Sequence, residues 1–364
     1  MKYVIVLFVV LITHSGIMAR QEQNQAKDSS KLRRLTVLPV PTLGSAPETG
    51  FYFGAVALFN FKLFDDTLTR NSNAKLEFSY TLKRQIITRM EWLVTGKRNG
   101  WIWQGNNAFL KFPENIWSVG SRATAEEQYE ANRIEMLNGY YYKVHDKWYA
   151  GPVQRLQRLY NISTKEGGLL FNKLLPGSEG GLSSGLGAGL FYDSRFNLLN
   201  AEAGAAFLSL RYLHFGKMWG SNYTFNTVEV DARHYIKGLK ETHIWALQTI
   251  GIFNAGHVPF RMMGLLGSDA IMRGYYQGRY RDKVYVATQQ EYRMPVWRWL
   301  GVTAFTAVGQ VAPDISSLST KYLKGAAGIG LRIKVDKKEN TNMRFDYAIG
   351  TAGGGFYVSF GEAF

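Results

Sequence analysis

The sequence has no cysteine among its 364 residues, which excludes disulfides, thiolate metal sites and a lipid-anchoring cysteine near the N-terminus. Proline is scarce, at 9 residues against 38 glycines. Acidic residues are few as well, 28 against 43 Lys and Arg, so the formal net charge is +15. Beyond the first residues no segment offers the ~18 consecutive apolar residues that a membrane-crossing helix needs. Signatures of catalysis are thin. There is no His-Glu-x-x-His, and the six histidines are dispersed. Gly185-x-Gly187-x-Gly189 lacks the third glycine spacing and the following helix of a dinucleotide loop, so it reads as a glycine-lined strand. Ser209 and His234 fall on neighbouring strand-like runs but on opposite faces, which argues against a hydrolase pair. The expectation is a non-enzymatic protein with no cofactor and no metal.

What is present begins with an export signal. Lys2 supplies a positive start, Val4 to Ile12 is an unbroken apolar run, and Ala19 offers a small residue at a cleavage point. The run is too short to cross a bilayer as a helix. Residues 1–19 are therefore read as a signal peptide, and 20–32, which are mostly polar, as a short disordered periplasmic tether.

From residue 33 to residue 364 the chain alternates. Leu76, Phe78, Tyr80 and Leu82 oppose Lys75, Glu77, Ser79, Thr81 and Lys83. Ile329, Leu331, Ile333 and Val335 oppose Gly328, Gly330, Arg332 and Lys334, and Met343, Phe345, Tyr347 and Ile349 oppose Asn342, Arg344, Asp346 and Ala348. The pattern repeats over about sixteen runs of roughly 9–13 residues, enough to cross a bilayer when tilted and longer than the usual soluble strand. Aromatic pairs such as Trp101/Trp103 and Trp297/Trp299 sit near run ends, where interfacial girdles belong. Export, run length and girdles together predict an all-β transmembrane antiparallel barrel of 16 strands over 33–364. Two runs, 101–111 and 153–160, do not alternate cleanly. The first run carries Pro39 and Pro41, which cannot donate ladder bonds, and the last follows Gly353-Gly354-Gly355. The line where first and last strands meet is therefore expected to be the weakest.

One connection, from about residue 254 to 283, is too long for an ordinary turn. It holds the apolar patch Met262-Met263-Gly264-Leu265-Leu266 and the sequence Met272-Arg273-Gly274-Tyr275. Gly274 permits a sharp bend that would turn the Arg273 guanidinium toward a fixed acceptor. On the following run, alternation puts Glu291 on one face with Tyr285, Gln289 and Arg293.

This placement, with Arg273-Gly274-Tyr275, resembles the BamA/TamA superfamily of outer-membrane insertases and two-partner secretion pores, the bacterial surface antigen family. Pro47-Glu48-Thr49-Gly50 resembles the start of Bacteroidetes-type members. Tyr192-Asp193-Ser194-Arg195, then Asn197 and Gly204, resembles a mid-barrel signature. Gln290-Glu291-Tyr292-Arg293, Gly330-Leu331-Arg332 and Arg344-x-Asp346 resemble the later strands. Phe356, Val358, Phe360 and Phe364 resemble an outer-membrane sorting signal.

The resemblance implies a 16-stranded barrel-only member in a bacterial outer membrane, with the long loop folded into the lumen. It implies that Arg273 packs against acidic residues on the next two strands, with Glu291 as the first partner. The alternative is that Glu291 pairs with a neighbouring luminal arginine. The second acceptor, the Asp of a Phe-x-Asp-x-Gly run, is replaced: Phe305 and Gly309 are present but Ala307 stands between them. A weakened anchor is the expectation. The implied function is insertion or translocation of proteins, or movement of lipid, through the seam. The implied partners are outer-membrane lipid and lipopolysaccharide, unfolded clients, and a separate periplasmic protein or a second copy of the chain, with no nucleic acid. A passive basic pore or surface protein that keeps the fold without insertase activity remains the alternative.

Overall fold

Period-two alternation gives each strand one apolar and one polar face, and a single sheet collects them. The computed structural model describes residues 35–46, 50–66, 68–82, 85–122, 126–336 and 341–364. The signal (1–19), the tether (20–32) and Pro47-Glu48-Thr49 lie outside them. The strands are β1 (Leu35–Ala46), β2 (Gly50–Phe61), β3 (Ser72–Thr81), β4 (Ile86–Thr95), β5 (Trp101–Ile116), β6 (Glu127–His145), β7 (Trp148–Thr164) and β8 (Gly181–Asp193). They continue with β9 (Ala206–Phe215), β10 (Phe225–Lys237), β11 (Ile244–Gly256), the two short loop strands β12 (Gly264–Leu265) and β13 (Arg281–Asp282), then β14 (Val284–Pro295), β15 (Leu300–Ala312), β16 (Lys324–Asp336), β17 (Thr341–Gly350) and β18 (Gly353–Phe360). All but β12 and β13 form one 16-stranded antiparallel sheet in chain order.

The apolar faces point outward. Phe78, Ile329, Tyr347 and Ile349 are all more than half exposed, while Arg332, Arg344 and Asp346 on the opposite faces are buried. This is the inversion of a soluble sandwich and the mark of a transmembrane barrel. Aromatic contacts ring one end: Trp101 stacks on Tyr140, Trp92 meets Trp103 edge-on, and Trp148 lies against Tyr192.

β1 and β18 are the two edges. Their Cα atoms approach within 8 Å, yet among the described residues no ladder pairs them. β1 pairs with β2 without interruption from Leu35↔Phe61 to Ala46↔Gly50. Pro39 and Pro41 share one side of β1, so an unbroken ladder with β2 requires that their missing N–H groups lie on the other side, facing β18.

Two expectations need correction. β5, β6 and β7 run further than the alternation indicated, to Ile116, from Glu127 and to Thr164. Polar outward residues such as Gln128 and Glu130 hide the period there, while backbone pairing continues. The glycine tract does not precede the last strand but begins it: Gly353, Gly354 and Gly355 pair with Gly350, Ile349 and Ala348, since ladder bonds need no side chain.

The chain between β11 and β14 enters the lumen and fills it with apolar side chains. Met262 and Met263 pack with Tyr141, Phe191, Leu213 and Phe215. Leu266, Ile271, Met272 and Tyr275 pack against Tyr285, Ala287, Ala307 and Val311 of the wall. Each such side chain contributes roughly 1.5–3 kcal/mol on burial, enough in sum to hold a long segment with almost no regular structure.

Candidate functional site

The loop reverses at its tip because two consecutive constraints are met by the right residues. Ser268 Oγ accepts from the amides of Ala270 and Ile271 at 3.1 and 3.0 Å, and Gly274 adopts φ +101°. A Cβ at Gly274 would lie 2.8 Å from the Ile349 carbonyl carbon of β17, so the tip presses directly on the wall. The bend delivers Arg273 into a fully buried position.

There the structure brings Arg273 and Glu291 together: Nη2 donates to Oε2 at 2.8 Å. Glu291 also accepts from its strand neighbour Arg293 at 2.9 Å and lies 3.5 Å from Arg332. Both pairings that the sequence left open are therefore made. The guanidinium of Arg273 stacks 3.5 Å from the centroid of Phe305, a cation–π contact strengthened by burial. Ala307 joins the apolar packing instead of accepting. The second carboxylate comes from elsewhere: Arg273 Nη1 donates to Asp346 on β17. The expected gap in the anchor is thus filled from a different strand, because Asp346 points inward at the right height. Arg332 completes the cluster, donating to Asp346 at 2.6 Å and to Glu362 at 2.6 Å.

The remaining predicted residues are placed as follows. Tyr275 donates its hydroxyl to the Gly325 carbonyl at 2.7 Å and accepts from the Thr351 amide at 3.0 Å. Gly309 leaves room for Met272, whose Sδ would be 3.2 Å from a Cβ there. Asp193 holds Arg195 at 2.9 Å, Arg195 lies over Phe207, and the Gly204 amide donates to the Tyr235 carbonyl at 2.7 Å; Tyr235 in turn lies under Arg293, which pairs with Glu291 of the clamp. Phe356, Val358 and Phe360 lie on the outer face with Tyr347, Phe345 and Met343 as register partners. Phe364 parts from them. The chain turns at Gly361, and Phe364 packs inside against Tyr235 and Ala246, with its carbonyl accepting from Arg293 Nη2 at 2.9 Å.

Sequence reasoning missed four participants. Arg261 anchors the front half of the loop to Glu114 of β5 at 2.8 Å. Arg281 is wholly buried with only the Gly278 carbonyl on its Nε, at 3.0 Å, and burial pushes its pKa down to about 10. Tyr357 on β18 accepts from the Gly274 amide at 2.9 Å, tying the loop tip to the edge strand. Tyr52 of β2 donates to the Val358 carbonyl of β18 at 3.2 Å, reaching across β1. Aromatic-rich chains give no signal that would single out these two tyrosines. Gly181-Leu182-Ser183-Ser184-Gly185 has the spacing of a hydrolase nucleophile turn, but it lies wholly within β8, without the strand-to-helix elbow that such a serine needs.

Known structures share this architecture. The chain is similar to BamA from Haemophilus ducreyi lacking POTRA domains 1-3, with a TM-score of 0.58 and 14% identity over 92% of this chain and 73% of that one. It is similar to CdiB from Acinetobacter baumannii at TM-score 0.58 and 11% identity, and to CdiB from Escherichia coli at 0.57 and 10%, over 90% and 91% of this chain. The fold is that of the BamA and CdiB barrels. The chain spans 60% and 63% of the two CdiB chains, less than two thirds of either. No protein-family model and no curated protein matches it. In this barrel the clamp on Arg273 and the β1/β18 line, which carries no ladder among the described residues, belong to one unit, since Gly274 follows Arg273 and its amide donates to Tyr357 of β18.

Proposed function

We propose that this protein acts in a bacterial outer membrane, assisting the insertion or translocation of proteins, or the movement of lipid, by opening the line between β1 and β18. The observation that carries the reading is the seam itself: two edge strands side by side without a ladder, one of them denied donors by Pro39 and Pro41. Each backbone pair absent from a seam is one that need not be broken before a client strand adds to the edge. The lumen loop acts as the frame. Arg273 fixes β14 to β17, and Gly274 holds β18 through Tyr357, so the edge strand keeps its place while its neighbour is exchanged. The work is non-enzymatic. Clients are unfolded proteins with exposed strand edges, and a separate periplasmic protein delivers them.

Reconstitution of the full chain into liposomes tests this, scoring insertion of an unfolded small barrel protein against Arg273→Ala. Faster insertion than in empty liposomes, lost in Arg273→Ala, is expected. No acceleration by the wild type, with ion flux rising in Arg273→Ala, would assign the protein to the passive-pore class, with the loop as its plug.

A further inference from the structure

The lipid-facing wall of β5 to β7 carries carboxamides where a bilayer offers no partner. Asn138 of β6 and Gln154 of β7 are register partners, and Gly105 of β5 extends the row. Asn107 of β5, paired with Met136, sits diagonal to Asn138. The luminal faces of these strands are occupied by Ala108, Tyr141 and Val153, all buried, so the three amides point outward. Gln154 lies between the girdle residue Trp148 and Arg158, where charge returns to the outer face, and thus at the depth of the hydrocarbon. This polarity is what made these two runs hard to read as strands.

None of the three is satisfied within the barrel. Asn107 Oδ1 and Asn138 Oδ1 lack a donor but are closed off by their own strands' neighbours, so the exposed carboxamide of the row is that of Gln154. Gln154 is exposed and forms no side-chain hydrogen bond among the described residues. The opposite wall handles an outward amide differently. Gln290 Oε1 accepts from Trp245 Nε1 at 3.2 Å, and its Nε2 donates to Thr306 Oγ1 at 3.0 Å. Unpaired amides in hydrocarbon are costly, and lipid tails cannot pair them. On one side of Gln154 the outward neighbours Ala150, Pro152 and Ala188 are short, which allows another backbone to come close there, while Leu186 and Leu156 flank it on the others.

We propose that this wall is a two-fold contact with a second copy of the chain, in which the exposed Gln154 carboxamide of each protomer hydrogen-bonds with that of its partner. A carboxamide carries both an acceptor and two donors, so the patch is complementary to itself. A two-fold axis satisfies both copies at once. An unrelated partner would need its own matching amides at the same depth.

The absence of cysteine makes the test direct. Gln154→Cys is introduced into the full chain in membranes, treated with a short bifunctional thiol cross-linker, and compared with Gln290→Cys on the far wall. Heat-modifiable gel migration confirms folding of each; if Gln154→Cys fails to fold, Leu186→Cys in the same row replaces it. Cross-linked dimer several-fold above the Gln290→Cys level is expected, and equal yields would overturn the proposal. The double variant Asn138→Leu/Gln154→Leu should be monomeric by native mass in a mild detergent that keeps the wild type dimeric. A wild type that is monomeric there, or a double variant that stays dimeric, would also overturn it.

Discussion

Asp346 and Glu291 divide the guanidinium of Arg273 between two strands that are not neighbours: Glu291 takes Nη2 from β14 and Asp346 takes Nη1 from β17. The clamp therefore spans β15 and β16 and bears on barrel curvature as well as on loop position. Asp346 also receives Arg332 and lies 3.6 Å from Arg344, so neutralising it leaves three buried guanidinium groups short of charge. Breaking a buried pair by removing one partner costs about 3–5 kcal/mol. Asp346→Asn should therefore lower thermal stability and raise single-channel conductance as the loop loosens. Glu291→Gln, which contacts three arginines, should do at least as much. Conductance of both variants in planar bilayers, with melting followed by heat-modifiable migration, checks this. An Asp346→Asn barrel as closed as wild type would mean that Glu291 alone holds the loop.

Tyr52 makes a side-chain bond that crosses the seam, donating to the Val358 carbonyl of β18 at 3.2 Å. Its loss removes a bond worth about 0.5–1.5 kcal/mol. If seam opening limits the rate, Tyr52→Phe should speed client insertion about 2- to 10-fold in the liposome assay, leaving conductance through the plugged lumen unchanged. A slower Tyr52→Phe variant would instead make the bond part of client guidance.

Much of this molecule was legible in the sequence, because a barrel in lipid exposes its period: Leu76, Phe78 and Tyr80 alternate with Lys75, Glu77, Ser79 and Thr81, and the export signal and run length put the apolar set on the lipid side. The reach of Arg273 to Glu291 was legible for the same reason, since parity placed Glu291 on the luminal face. Asp346 was visible as an inward residue of Arg344-x-Asp346, but no pattern along one strand tells which residue lies opposite it across two others. Curvature and loop depth decide that. The outward amides Asn107 and Gln154 worked against the reading, blurring the alternation of their two runs. Phe364 escaped because a single turn at Gly361 carries it from the outer row to the lumen.

Gly330 tests the packing of the clamp without touching a charge. A Cβ at this position would lie 2.1 Å from Asp346 Oδ1, 2.5 Å from Arg332 Nη1 and 2.6 Å from Thr303 Oγ1. Gly330→Val must displace the Arg332–Asp346 pair, adding the cost of lost pairing to the ~1–3 kcal/mol typical of overpacking. A large fall in the melting midpoint, or failure to reach the folded form, is expected. Gly325→Val on the same strand has nothing within 4 Å of its new Cβ and should fold normally. Equal behaviour of the two variants would show that the cluster has room that the geometry denies.

The base of the loop carries a pH response. Asp282 of β13 is buried, and desolvation raises its pKa, only partly offset by the Lys283 amide, which donates to Oδ1 at 2.8 Å. A carboxyl with a raised pKa in the docked loop holds its proton at pH values where the released loop has given it up. Stability of docking therefore falls as pH rises from the ordinary carboxylate value through the raised one. The docked loop should be tightest in mild acid, and conductance should climb as pH rises from about 4, the ordinary carboxylate value, through the raised one. Asp282→Asn, which keeps the shape and cannot ionise, should flatten that climb while leaving the low-pH conductance where it was. Planar-bilayer recordings of both proteins across the interval decide the point: an identical climb in Asp282→Asn would place the titrating group elsewhere in the lumen.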